Sequence, residues 1–148
     1  MAARARVAAM KTALEPTRLE PASGAGRIAA APAPAAGAAP DLSIIVPMFN
    51  EAAVLDRLFE RLGKVMERLG LSYEIIAIDD GSNDETLAGL LEHRARNPAI
   101  KVISLSRTFG KDIALSAGLD HACGRAVVPL DADLQDPPEL IEQMVALW

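Results

Sequence analysis

Several residue types that usually signal a function are scarce here. There is one cysteine, Cys123, in 148 residues. That excludes an internal disulfide framework and fits a reducing compartment, and Cys123 itself reads as a small residue buried on a helix. The two histidines, His93 and His121, fall in helical segments without Cys or His at metal-ligand spacing, so neither is assigned a catalytic role. No run approaches the ~20 strongly apolar residues of a membrane span; the longest candidate, 27–40, is alanine interrupted by Pro32, Pro34 and Pro40. Three nucleotide- and ester-handling signatures are also missing: the Gly-x-x-x-x-Gly-Lys-Ser/Thr loop, Gly-x-Gly-x-x-Gly after the first strand, and the Gly-x-Ser-x-Gly elbow. P-loop, dinucleotide-dehydrogenase and hydrolase-triad readings lose their main support.

Positive charge is scarce where the chain looks folded. Residues 1–40 carry five basic and two acidic side chains, leaving ten basic and eighteen acidic for 41–148. An acidic domain is a poor partner for a nucleic-acid backbone but suits a site that collects a divalent cation. The start, with Arg4, Arg6 and Lys11 among alanines, faintly resembles a targeting peptide. Glu15, Glu20 and the lack of a compact apolar core argue against that. Residues 1–40 therefore read as a disordered Ala/Pro-rich tail, too poor in burial to offset its ordering entropy. What remains is enough for one domain and not for two.

From Leu42 the pattern changes. Leu42 to Pro47 is a short, nearly continuous β-branched run, expected as a strand buried on both faces. Glu51 to Gly70 carries Leu55, Leu58, Phe59, Leu62, Val65, Met66 and Leu69 at helical spacing, with Gly70 as the stop. Tyr73–Ile78 predicts a second strand. A helix over about 84–96 follows, with Asn83 as N-cap and Pro98 marking the break after it. Lys101–Leu105 predicts a third strand, Lys111–Ala122 a third helix and Arg125–Leu130 a fourth strand. Asp136-Pro137-Pro138 is expected to open a fourth helix, with Asp136 as cap and proline in the first turn. Four strand–helix alternations predict an α/β fold: a parallel sheet with right-handed crossovers and helices on both faces. Ligands then bind beyond the carboxyl ends of the strands, where this chain places Asn50-Glu51, Asp79-Asp80, Ser106-Arg107 and Asp131-Ala132-Asp133.

Three of those groups have two readings. Asp131 and Asp133, two apart, face one spot if the strand stays straight, and their oxygens suit Mg²⁺ or Mn²⁺ held together with substrate phosphates. Gln135 joins them if the backbone remains extended as far as Asp136. The alternative is a solvated loop that caps the next helix. Asp79 and Asp80 could accept hydrogen bonds from a ribose or base, or form a turn with Gly81 at positive φ. Arg107 and Lys111 could meet phosphate oxygens, or be ordinary surface charges.

Taken together, four segments resemble family 2 glycosyltransferases of the GT-A fold. They are Ser43-Ile-Ile-Val-Pro-Met-Phe-Asn-Glu51, Ile78-Asp-Asp-Gly-Ser-Asn-Asp-Glu-Thr86, Leu105-Ser-Arg-Thr-Phe-Gly-Lys111 and Leu130-Asp-Ala-Asp-Leu-Gln-Asp-Pro-Pro-Glu-Leu140. The last two are similar to the branch that transfers a sugar to a polyprenyl phosphate, which includes dolichol-phosphate mannose synthases and bactoprenol glucosyltransferases. The resemblance covers 42–148 and implies a Rossmann-like, donor-binding half of a GT-A domain over 41–148. It places Pro47, Asn50 and Glu51 along the nucleotide and Asp79 at its base or ribose, with Asp80 and Ser82 shaping the pocket. Asp131, Asp133 and Gln135 are implied as the metal and diphosphate group, with Arg107 and Lys111 near phosphates. The implied reaction moves a hexose from a UDP- or GDP-sugar to a polyprenyl phosphate, with inversion and a divalent metal. The apolar-faced segment Leu140–Trp148 shows no stop signal, so the acceptor half, any membrane helices and placement at the cytoplasmic face of a membrane are expected of a longer parent. A nucleotide-sugar module that binds without turnover is the main alternative. A phosphoacceptor signalling domain is a remote one, because it needs acids after the first strand and an aspartate after the third.

Overall fold

The computed structural model describes residues 38–148; the tail expected over 1–40 lies outside them apart from its last three residues. The elements in chain order are β1 (Leu42–Met48), α1 (Leu55–Leu69), β2 (Tyr73–Asp79), α2 (Thr86–Arg96), β3 (Ile100–Ser104), α3 (Lys111–His121), β4 (Ala126–Pro129) and α4 (Leu140–Leu147). All pairings are parallel, in the order β3-β2-β1-β4. The chain thus builds outward from β1 through β2 to β3, then returns to the other side of β1. That reversal is the place where open α/β sheets form a ligand crevice.

The central strand explains itself from its residues. Leu42, Ile44, Val46 and Met48 pack with α1, α2 and α4, while Ile45 packs with Ile76, Ile78 and Ala114 on the α3 side. A strand covered on both faces can be apolar throughout. Pro47, which has no N–H, is tolerated because of where its missing donor would point. Leu130 donates to the Ile45 carbonyl at 2.9 Å, so Pro47, two residues on, faces the same side just past the last β4 pair, Ile45 with Pro129.

On the opposite face α3 presents Ala114, Ala117 and Gly118. A Cβ on Gly118 would lie 2.4 Å from Ile45 Cγ2, so the small residue lets α3 sit close to the sheet. Arg61 pairs with Glu139, and Arg68 with Glu142, tying α1 to α4.

Three local expectations are corrected. Asn83 does not cap α2; Asp84 Oδ1 accepts from the Thr86 N–H (2.9 Å) and hydroxyl (2.5 Å) instead. Asp136 does not cap α4, which starts four residues later at Leu140 without a side-chain cap. A residue preceding proline is pushed out of the helical region, so Asp136 and Pro137 stay outside and the Pro137 carbonyl accepts from Leu140. Cys123 is exposed and lies past the end of α3. The next residue, Gly124, passes so close to β1 that a Cβ there would meet Ser43 N at 2.5 Å, which leaves room for no side chain at that position.

Beneath that turn lies a buried polar cluster. Glu74, 4% exposed, accepts from Ser43 Oγ (2.5 Å) and the Cys123 N–H (2.7 Å), and pairs with Lys101 at 2.5 Å. Ser43 Oγ accepts in turn from the Gly124 N–H at 2.8 Å. The α3–β4 connection is thereby fastened to the sheet.

Candidate functional site at the sheet switch point

The ends of β1 and β2 are level, with Met48 paired to Asp79, and their loops are stapled together. Asn50, in the left-handed region at φ 54°, receives the Asn83 N–H on its Oδ1 (2.8 Å) and gives its own N–H to Ser82 Oγ (2.9 Å). The Glu51 N–H donates to Thr86 Oγ1 and the Ala52 N–H to Asp84 Oδ2. Asparagine tolerates positive φ better than most residues, and here it also supplies the staple.

Asp80 works in the same manner at the next loop. It is 4% exposed, and its two oxygens accept the N–H groups of Phe109 (2.8 Å) and Gly110 (2.9 Å). Gly81 makes room for this: at φ 70°, a Cβ there would lie 2.6 Å from the backbone of Arg107 and Thr108. Asp79 is 2% exposed and accepts from the Ser82 N–H at 3.2 Å.

These loops enclose a cleft of about 230 Å³ between β1, β4 and the start of α3. Of the residues singled out from sequence, Pro47, Glu51, Asp80, Lys111, Asp131 and Asp133 line it. Asn50, Asp79, Ser82, Arg107 and Gln135 do not; the first three hold the loops, and Arg107 lies over the Phe109 ring at 4.1 Å. Met48, Phe49, Ala114 and Ala132 also line the cleft and were missed. Phe49 left a trace in the sequence, as an aromatic directly after a strand expected to be buried; in the structure it is 43% exposed. The alanines left none.

The straight-strand argument for the acids is corrected as well. β4 stops at Pro129, and the chain then turns, with Leu134 at φ 63°. Even so, Ala132 enters the core, and Asp131 and Asp133 on either side of it both line the cleft. The turn, rather than extension, sets Gln135, whose N–H donates to Asp133 Oδ1 at 3.0 Å.

The cleft holds four acids and one lysine, and the charges respond to one another. Burial, then the charges of Asp133 and Asp84, push the Glu51 carboxyl above its ordinary value. Lys111 is held above its own by its bond to Asp131, reinforced by the charges of Asp131, Asp133 and Asp112. Its Nζ lies 2.6 Å from Asp131 Oδ1 and 2.7 Å from Oδ2. A cation thus already bridges both oxygens of one candidate ligand. All-oxygen donors of this kind fit a hard divalent ion. Among the described residues no group of three or more His, Cys, Asp or Glu could hold a metal, so phosphate or water would complete the coordination.

A sequence model described as glycosyl transferase family 2 matches residues 43–148. The chain belongs to glycosyltransferase family 2. It is 55% identical over 108 residues to an uncharacterised glycosyltransferase of Synechocystis sp., covering 73% of this chain and 34% of that protein. It is 39% identical over 107 residues to the bactoprenol glucosyl transferase of Shigella phage SfV, covering 72% and 35% respectively. Among solved structures it is similar to a Pyrobaculum calidifontis mannosyltransferase in complex with GDP-Man and Mn²⁺, at TM-score 0.56 and 26% identity, covering 71% of this chain and 35% of that one. The chain spans about a third of the length of the curated relatives it matches. The GT-A architecture implied by the resemblance, a parallel sheet between helices, is the one observed. No helix among the described residues is long and apolar enough to cross a membrane.

Proposed function

We propose that residues 41–148 form the donor-binding part of a metal-dependent, inverting glycosyltransferase that moves a hexose from a nucleoside-diphosphate sugar to a polyprenyl phosphate. The observation that carries this is the placement of Asp131 and Asp133 in one cleft at the sheet's switch point, opposite Glu51 and beside Lys111. The nucleotide lies along Pro47–Glu51 and the Asp79–Ser82 loop, and its diphosphate reaches Asp131, Asp133 and Lys111. Asp131 and Asp133, with Gln135 beside them, would hold Mg²⁺ or Mn²⁺. When bound, such an ion neutralises charge developing on the diphosphate leaving group. Lys111 adds a second positive charge at the same place, and Asp80 holds the root of that lysine still. The acceptor phosphate is itself anionic, with a second pKa of about 6, so its attacking oxygen needs no strong general base. The acceptor class rests on similarity to the bactoprenol glucosyl transferase, and the metal on the donor chemistry and on the Mn²⁺-bound mannosyltransferase. For a parent carrying its acceptor half, the cytoplasmic face of a membrane is the setting that suits a lipid phosphate.

Calorimetry with UDP- and GDP-sugars, with and without Mn²⁺, tests the reading. One sugar nucleotide should bind in a Mn²⁺-dependent manner, and Asp131→Asn should remove that dependence. Equal binding with and without metal in both proteins would refute it. Because the chain spans about a third of its relatives, binding without turnover is the second reading, which a glycolipid-formation assay separates from the first.

A further inference from the structure

We propose that Lys111, which pairs with both oxygens of Asp131, gives up that carboxylate when a divalent ion loads, so that metal and nucleotide bind as a coupled pair. This rests on the reading of Asp131 as a metal ligand.

The ammonium takes both Asp131 oxygens, at 2.6 and 2.7 Å. A divalent ion that uses Asp131 must break that pair or share it at close range with a like charge. The lysine is built to move at one end only. Its backbone opens α3 directly after Gly110 at φ 99°, and the buried Asp80 carboxylate grips the Phe109 and Gly110 N–H groups. Its side chain is 61% exposed, and a flexible four-carbon stem with three rotatable donors can re-aim from a fixed root. An exposed ion pair is weak, so the pair hinders the metal without excluding it.

With metal alone, the displaced lysine loses its hydrogen-bonded carboxylate; Asp133 is a candidate ligand itself, Asp80 is taken by the Phe109 and Gly110 N–H groups, and only Glu51 is left among the cleft's acids. With a diphosphate present, the ammonium can exchange the carboxylate for phosphate oxygens. Each ligand therefore helps the other, and the coupling is reciprocal. The cleft then resists loading by free metal and accepts a metal–nucleotide pair.

Wild type, Lys111→Gln and Asp131→Asn should be titrated with MnCl₂ alone, with free Mn²⁺ read by electron paramagnetic resonance. UDP and GDP should then be titrated into each protein at saturating Mn²⁺. Lys111→Gln is expected to bind Mn²⁺ alone about two- to fivefold tighter and to bind the nucleotide at least about threefold more weakly. A role in folding alone would not move the two affinities in opposite directions. Mg²⁺ titration watched through the lysine ammonium NMR signal of Lys111 should shift that signal; an unmoved signal at saturation overturns the displacement. Mn²⁺ affinity in Lys111→Gln equal to or weaker than wild type, while Asp131→Asn abolishes binding, overturns the proposal and leaves Asp131 a ligand. Undiminished Mn²⁺ binding by Asp131→Asn overturns both, as does failure of every protein to bind Mn²⁺.

Discussion

Replacing Asp80 with asparagine should destabilise the domain nearly as much as replacing it with alanine. The carboxylate receives two backbone N–H groups, from Phe109 at 2.8 Å and Gly110 at 2.9 Å, and is 4% exposed. A hydrogen bond to a charged group is worth about 1.5–3 kcal/mol. Gly110 is exposed and Phe109 partly so, and water can recover part of what alanine removes. The expected loss for Asp80→Ala is therefore about 2–4 kcal/mol. Asparagine keeps the shape but has one acceptor oxygen; its NH₂ would confront a second N–H donor, and that bond cannot form. Its expected loss is about 2–3 kcal/mol, or a fall in melting temperature of roughly 10 °C for a domain of this size. Urea unfolding followed by far-ultraviolet circular dichroism gives the stability, and hydrogen exchange of the Phe109 and Gly110 amides gives the local effect. Both variants should exchange those amides much faster than wild type. An acid serving ligand binding alone would leave stability unchanged, or raise it, on removal. Wild-type melting together with slow exchange in Asp80→Asn would refute the structural role argued above.

Two titrating groups make opposite predictions. Burial alone would raise the Glu74 carboxyl, but Lys101, Ser43 and the Cys123 N–H together hold it below its ordinary 4.5. Its folded form binds fewer protons than its unfolded form, so its contribution is full above about pH 4.5 and is lost as pH falls through the lowered folded value. Glu74→Gln should lower neutral stability by about 1–3 kcal/mol and flatten the acid limb of a urea-stability profile; an unchanged limb counts against this account. Glu51 lies above 4.5, through burial and then Asp133 and Asp84. Its folded form binds more protons, so stability falls as pH rises from 4.5 through the raised value. Glu51→Gln should therefore raise the melting temperature at pH 7 by about 2 °C, with the gain disappearing near pH 4. A gain that persists there would contradict the charge argument.

Much of the architecture was legible because it rests on local patterns. A nearly continuous β-branched run at 42–46 needs cover on both faces, and the α1 periodicity ending at Gly70 (φ 63°) needs one. The order of these patterns specifies a parallel α/β sheet. Helix starts were less legible, because side-chain caps compete among neighbours: Asp84 rather than Asn83 binds at α2, and two prolines delay α4. Site residues divide along the same line. Asp131 and Asp133 were readable as acids after a strand, although the straight strand that was to align them is a turn. Asn50, Asp79, Asp80 and Ser82 belong to the same strand ends, yet they serve as loop staples, and only a tertiary structure shows which partner a polar side chain has found.

The sequence by itself determined which residues are apolar, where they recur and which acids follow strands, since those depend on chain-local chemistry. Tertiary structure alone decided that β4 returns beside β1, bringing Lys111 against Asp131 twenty residues away in the chain. The physical reason is that a charge pair depends on distance in space, and distance is set by how strands order themselves in the sheet.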